Sequence, residues 1–222
     1  MSLLNLHENA LPERLFRRLC SAVRALGKEG LRATYQATFW FELGPPSAVV
    51  EAAVLAVQPL LPQGPVAGVE WWLSRMKTTR VGVDFHQDRD EKLVLRGGEL
   101  RHPRFSSVLF LNRVRGGALA VTAQLPNPRN PCSAPLPLDA DLVAPRPNRL
   151  VWFDGRLTHG VLDAENRISS GPAKRQGEMR LAVVMNWWNS RPTDVPHFHE
   201  ARTYAALRLA PGSAASRPVR PT

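Results

Sequence analysis

A chain of 222 residues, 44% of them hydrophobic, is long enough to bury a proper core, and residues 1–210 read as one domain followed by a flexible tail at 211–222. No apolar run reaches the roughly 18 residues of a membrane span, and the opening Met1–Glu8 lacks a basic segment leading into an apolar one, so the expectation is a cytoplasmic protein with no membrane partner. The net charge of +10 is spread as scattered arginines, which disfavours nucleic acid, and Cys20 and Cys132 lack the spacing of a zinc or disulfide framework.

In chain order, Leu11, Leu15, Leu19, Val23 and Leu26 form a helical stripe over residues 11–26, with Pro12 suited to a first turn and Gly27 to a stop. Thr38–Leu43 reads as a strand closed by Gly44-Pro45-Pro46. A second helix follows, with Ser47 as its N-cap, running through Val50, Ala53, Val54 and Val57 to Pro59. From residue 66 the pattern changes to short strands between turn residues. They are Val69–Leu73, Thr79–Phe85, Lys92–Arg96, Ser106–Asn112, Ala118–Gln124, Arg149–Phe153, Gly160–Leu162 and Met179–Trp188, punctuated by Gly97-Gly98 and Gly116-Gly117. Two helices braced on such strands predict an α+β fold, a jelly roll or double-stranded β-helix with N-terminal helices packed on one face. Residues 126–147, rich in Pro, Asn, Ser and Asp, read as one long loop over the barrel mouth.

The chemistry centres on Val83-Asp84-Phe85-His86-Gln87-Asp88. Side chains two apart on an extended strand leave on the same face, so His86 and Asp88 bring an imidazole and a carboxylate together. One further histidine would complete a 2-His-1-carboxylate triad, a set that leaves one face of an Fe(II) ion open. Of His7, His102, His159, His197 and His199, His159 fits best: it follows an apolar strand and a turn and opens the next strand. Arg180, at the very start of the last strand, would project toward the barrel mouth, where its planar fork can take a carboxylate.

Over residues 76–190 this sequence resembles the Fe(II)/2-oxoglutarate-dependent dioxygenases, most closely their prolyl-4-hydroxylase-like branch. The resemblance rests on Val83–Asp88, on Ser107–Asn112 followed by Gly116-Gly117-Ala118-Leu119, on Leu150–Phe153 ahead of Thr158-His159-Gly160-Val161, and on Arg180. It implies that His86, Asp88 and His159 bind Fe(II) and that Arg180 anchors the distal carboxylate of 2-oxoglutarate, with ascorbate supportive. It also implies that decarboxylation of 2-oxoglutarate to succinate is coupled to hydroxylation of an amino acid, a peptide or protein residue, or a secondary metabolite. Relatives that transfer halide carry a small residue where this chain has Asp88, so the carboxylate favours hydroxylation or desaturation.

Two departures from the family pattern stand out. Phe110 occupies a position where relatives often present a tyrosine to the co-substrate, and Arg180 lies 21 residues after His159, a longer gap than many members show, which leaves Arg167 and Arg175 as rival anchors. Three other readings are a cupin-like metal site at His197-Phe198-His199-Glu200, an inert scaffold of the same fold, and a nucleic-acid-demethylating relative. The last would need a second arginine soon after Arg180, where the sequence is apolar as far as Asn186. Trp71, Trp72, Trp187 and Trp188 are expected in core packing, and His102 in an exposed loop.

Overall fold

The computed structural model describes residues 2–27, 37–78, 83–124, 140–167, 177–201 and 203–209. Among them are ten strands: β1 (Leu4–His7), β2 (Phe39–Phe41), β3 (Gly68–Lys77), β4 (Val83–His86), β5 (Phe105–Phe110), β6 (Leu119–Thr122), β7 (Asp141–Val143), β8 (Arg149–Asp154), β9 (Thr158–Val161) and β10 (Met179–Trp188). They form two antiparallel sheets, a six-stranded one in the order β1-β8-β5-β10-β3-β2 and a four-stranded one in the order β4-β9-β6-β7. Helices α1 (Glu13–Ala25), α2 (Val49–Val57) and the short α3 (Glu91–Leu95) complete an α+β architecture.

The period-2 pattern of β10 sorts its two faces. Leu181, Val183, Met185 and Trp187 point to the side covered by α1 and α2, where they meet Val69, Trp71 and Leu73 of β3 and the buried Leu19, Val23, Val50 and Val54 of the helices. Arg180 and Ala182 point the other way, and Ala182 packs with Val108, Phe110, Val151 and Phe153 against Leu119, Val121 and Val143 of the four-stranded sheet. That second layer, between the sheets, is where the site lies.

Helix α1 starts just after Pro12, and the chain leaves it through Gly27 at φ +62°, a conformation costly for any residue with a Cβ. Helix α2 begins one residue later than the sequence suggests. The cap is not the Ser47 side chain but the Glu51 carboxylate, which folds back to accept from the Ser47 N–H at 2.6 Å, the Ser47 hydroxyl at 2.8 Å and the Ala48 N–H at 3.1 Å. The strand expected over Lys92–Arg96 is instead α3: Asp90 accepts from the Leu93 N–H at 3.0 Å and Gly97, at φ +76°, ends the turn. Strand β7 lies inside the segment expected to be one loop, and β1 pairs with β8 where no strand was anticipated. The rest of that loop, the first part of the Thr79–Phe85 strand, the 211–222 tail, Cys132 and Arg175 lie outside the described residues. No helix of the described residues is long and apolar enough to cross a membrane.

Of the four tryptophans, Trp71, Trp187 and Trp188 are buried as expected, Trp188 against Trp40 and Val195. Trp72 is half-buried on the face that looks between the sheets.

Candidate metal centre

Strands β4 and β9 lie side by side with His86 directly opposite His159, and their imidazole rings stand 4.5 Å apart between centroids. Asp88, two residues past His86, completes the group: its Oδ1 is 3.4 Å from His86 Nε2 and its Oδ2 is 3.4 Å from His159 Nε2. One donor atom from each residue falls within 4.8 Å of the others, and among the described residues this is the one such set of three. The three residues expected from sequence thus converge. Gly160 permits the close approach of the strands, because a Cβ there would sit 2.9 Å from the Phe85 ring.

The electrostatics prepare the group for a cation. Burial would raise the Asp88 carboxyl, but the His159 and His86 imidazoles and the Ser106 hydroxyl outweigh it and hold the carboxyl well below the usual range, so it is charged at neutral pH. Burial pushes the His159 imidazole down against the opposing pull of Asp88, so His159 is neutral there. Its Nδ1–H donates to the Leu157 carbonyl at 3.1 Å, which leaves the Nε2 lone pair facing Asp88. Two imidazole nitrogens and one carboxylate oxygen, with His86 partly exposed on one side, make a donor set that fits Fe(II).

Two supporting residues escaped the sequence reading. Ser106, buried on β5, donates its hydroxyl to Asp88 Oδ2 at 2.7 Å. His102, expected in an exposed loop, is half-buried and hydrogen-bonds through Nδ1 to the Asp88 carbonyl at 2.6 Å. Neither had a sequence signal, because the partner in each case lies on a segment brought close only by sheet pairing. Ser106→Ala is expected to weaken metal binding by about 10-fold, the lower end of the usual loss for an outer partner of a ligand, without unfolding the protein. Metal titration of the variant against the wild type checks this, and equal affinities would remove Ser106 from the site.

Arg180 lies on the same interior face. It is 2% exposed, its guanidinium lies 4.9 Å over the Phe110 ring, and it reaches Met76 Sδ at 3.8 Å. Its Nε has no hydrogen-bond partner, and among the described residues no carboxylate pairs with it. Burial pushes its pKa down to about 10. Phe110, which cannot donate a hydrogen bond, instead forms the shelf that holds the guanidinium plane. Gly117 leaves room for the arginine stem, since a Cβ there would stand 2.7 Å from Thr78 and 3.4 Å from Arg180 Cδ.

The rival sites fare differently. Arg167 is exposed and ion-paired with Glu165, away from any need for a ligand. His197 and His199 stack on each other at 5.2 Å, but the His197 Nε2 accepts from Arg191 at 2.9 Å, so the pair does not converge on a common point. On the interior face of β10 the residues after Arg180 are Ala182, Val184 and Asn186, with no second guanidinium.

No family model matches the sequence, and no curated protein matches it. Solved structures do. A prolyl-4-hydroxylase from Pseudomonas putida is similar at 21% identity and TM-score 0.52, over 85% of this chain and 89% of that one. HygX from Streptomyces hygroscopicus, solved with nickel and 2-oxoglutarate bound, is similar at 13% identity and TM-score 0.51, over 88% of this chain and 84% of that one. The iron-bound form of HygX gives 13% identity and TM-score 0.51, over 87% and 84%. The chain therefore shares the fold of these proteins.

Proposed function

We propose that this protein is an Fe(II)- and 2-oxoglutarate-dependent dioxygenase built on a double-stranded β-helix, which hydroxylates an amino acid, a peptide or protein residue, or a secondary metabolite. One observation carries the reading: a His-Asp-His donor cluster and a buried guanidinium with no counter-ion among the described residues face the same space between two sheets. A buried cation left unpaired is costly and is relieved by an anionic ligand.

His86, Asp88 and His159 would hold the iron, with Ser106 orienting the carboxylate and the Leu157 carbonyl fixing the His159 tautomer. Arg180 would take the distal carboxylate of 2-oxoglutarate in a bidentate pair, its plane set by Phe110. Ser106, beside Asp88, and Phe110, beside Arg180, are four residues apart on β5, roughly 13 Å along the strand, a gap that the arginine side chain and a five-carbon diacid span together. Val108, Ala182 and Val184 line the sheet between them and offer no acid or base to compete. When bound, iron and 2-oxoglutarate supply the oxidising chemistry, 2-oxoglutarate leaving as succinate and carbon dioxide.

The test is succinate formation from 2-oxoglutarate by the purified protein, with and without Fe(II) and ascorbate, across pools of amino acids, peptides and metabolites. The expected result is iron-dependent succinate, raised by the pool that holds the substrate. Succinate formation that is indifferent to iron, or absent under every pool while the Pseudomonas putida prolyl-4-hydroxylase run alongside turns over, would overturn the reading.

A further inference from the structure

A cavity of about 490 Å³ is lined by Arg89 and Asp90, which follow Asp88 directly in the chain, and by Glu70 of β3. Glu70, Asn186 and Ser106 stand in one row across β3, β10 and β5, and Ser106 is the residue that binds Asp88. Glu70 is therefore two strand spacings, roughly 10 Å, from Ser106 and on the same sheet face.

Among the described residues, the charges of this cavity leave one of them without an opposite partner. Its ionisable lining is Glu70, Arg89, Asp90, Glu91, Lys92 and Asp194. Arg89 pairs with Glu91 at 2.8 Å, Asp90 pairs with Arg101 at 3.1 Å and accepts from Thr193, and Asp194 faces both Lys92 and Arg96. Among the described residues no cation pairs with Glu70. Burial pushes its carboxyl up to about 7, opposed by the Thr38 hydroxyl and the Trp188 indole and reinforced by the charges of Asp88 and Asp90. Beside Glu70, the buried Asn186 Oδ1 is a second acceptor without a partner.

Asn186 Oδ1 is a buried acceptor without a donor, and Glu70 is a half-buried carboxyl on the cavity wall with no cation paired to it among the described residues; a carboxylate so placed is best matched by a cation. We propose that this cavity is the subsite for an ammonium group of the substrate, with Glu70 as its counter-ion, so that the substrate is an amine-bearing molecule. This rests on the dioxygenase reading and narrows its substrate class. The interior face would then carry two groups of opposite character, Arg180 at the start of β10 for the diacid and Glu70, opposite Asn186 six residues further along, for the substrate's cation.

Binding can be read without iron or 2-oxoglutarate, so its outcome is separable from that of the dioxygenase assignment. The probe is n-butylammonium, with n-butanol and butyrate as controls, titrated by NMR against the full chain. A fragment this small is expected to bind with Kd of about 1 mM, saturably and at one site. Glu70→Gln should weaken it at least 10-fold, and Thr38→Lys, which places a tethered ammonium beside Glu70, should do the same. His159→Ala should leave it unchanged. No saturable binding to the wild type, equal binding of butanol or butyrate, or undiminished affinity in both the Glu70 and Thr38 variants would overturn the proposal.

Discussion

Arg180→Met is expected to raise the concentration of 2-oxoglutarate needed for half-maximal succinate formation by at least 100-fold and, without co-substrate, to make the protein more stable. The two effects have one cause. Arg180 is 2% exposed, and no carboxylate among the described residues pays for its desolvation; burial already depresses its pKa to about 10. Replacing even a buried ion pair by apolar side chains of similar volume is often neutral or stabilising by about 1–4 kcal/mol, and a buried cation without its partner loses no attraction on replacement. The stacking on Phe110, worth up to about 2 kcal/mol, would be lost and puts the net gain at the lower end. In a chain of this size 1 kcal/mol moves Tm by about 2–4 °C, so a rise of a few degrees is the expected reading. Iron content should not change, because no metal donor touches the guanidinium. Arg180→Lys separates charge from shape: it keeps the cation but loses the planar fork, and should fall between wild type and Met in co-substrate demand. A Met variant that is destabilised and needs no more 2-oxoglutarate than wild type would make Arg180 a structural cation and move the diacid elsewhere.

The parts of the site that could be read from sequence are those set by local periodicity. His86 and Asp88 follow from the two-residue repeat of an extended segment, and Arg180 from its place at the start of a long apolar strand. His159 followed from chain order, an apolar strand and turn just ahead of it, and the pairing of β4 with β9 places it opposite His86. What sequence did not show depends on contacts between segments far apart. Ser106 looks like any serine in a strand until β5 is laid beside the chain at Asp88, and Glu70 looks like the wet face of β3 until the pairing with β10 sets it in one row with Asn186 and Ser106. The error at Lys92–Arg96 has a different origin. A five-residue run containing Leu93, Val94 and Leu95 suits a strand or a helix equally, and the decision is made by Asp90, which caps the first turn and is itself held by Arg101 and Thr193.

Asp88→Ala should abolish iron-dependent turnover and remove the stabilisation that a divalent ion confers. In the wild type, Fe(II) or Mn(II) at about 100 times its Kd should add about 2.7 kcal/mol to unfolding, since the three donors are assembled only in the folded chain. Without the carboxylate two imidazoles remain, one donor short of the set and with no negative charge to offset the cation, and the Ser106 hydroxyl is left without its partner. The metal-dependent rise in Tm should vanish in Asp88→Ala and be largely lost in Asp88→Asn, which keeps the shape and drops the charge. The metal-free proteins should differ in acid as well. Because the folded-state pKa of Asp88 is depressed, its contribution to stability is present above the unfolded value of about 3.9 and is lost as pH falls through the lower folded one. Wild type should therefore lose stability between about pH 4 and the onset of acid unfolding by an amount that Asp88→Ala does not show. Thermal unfolding with and without Mn(II), repeated down a pH series, measures both. A metal-dependent shift that survives in Asp88→Ala would mean that the ion binds elsewhere, and that the convergence of His86, Asp88 and His159 serves packing.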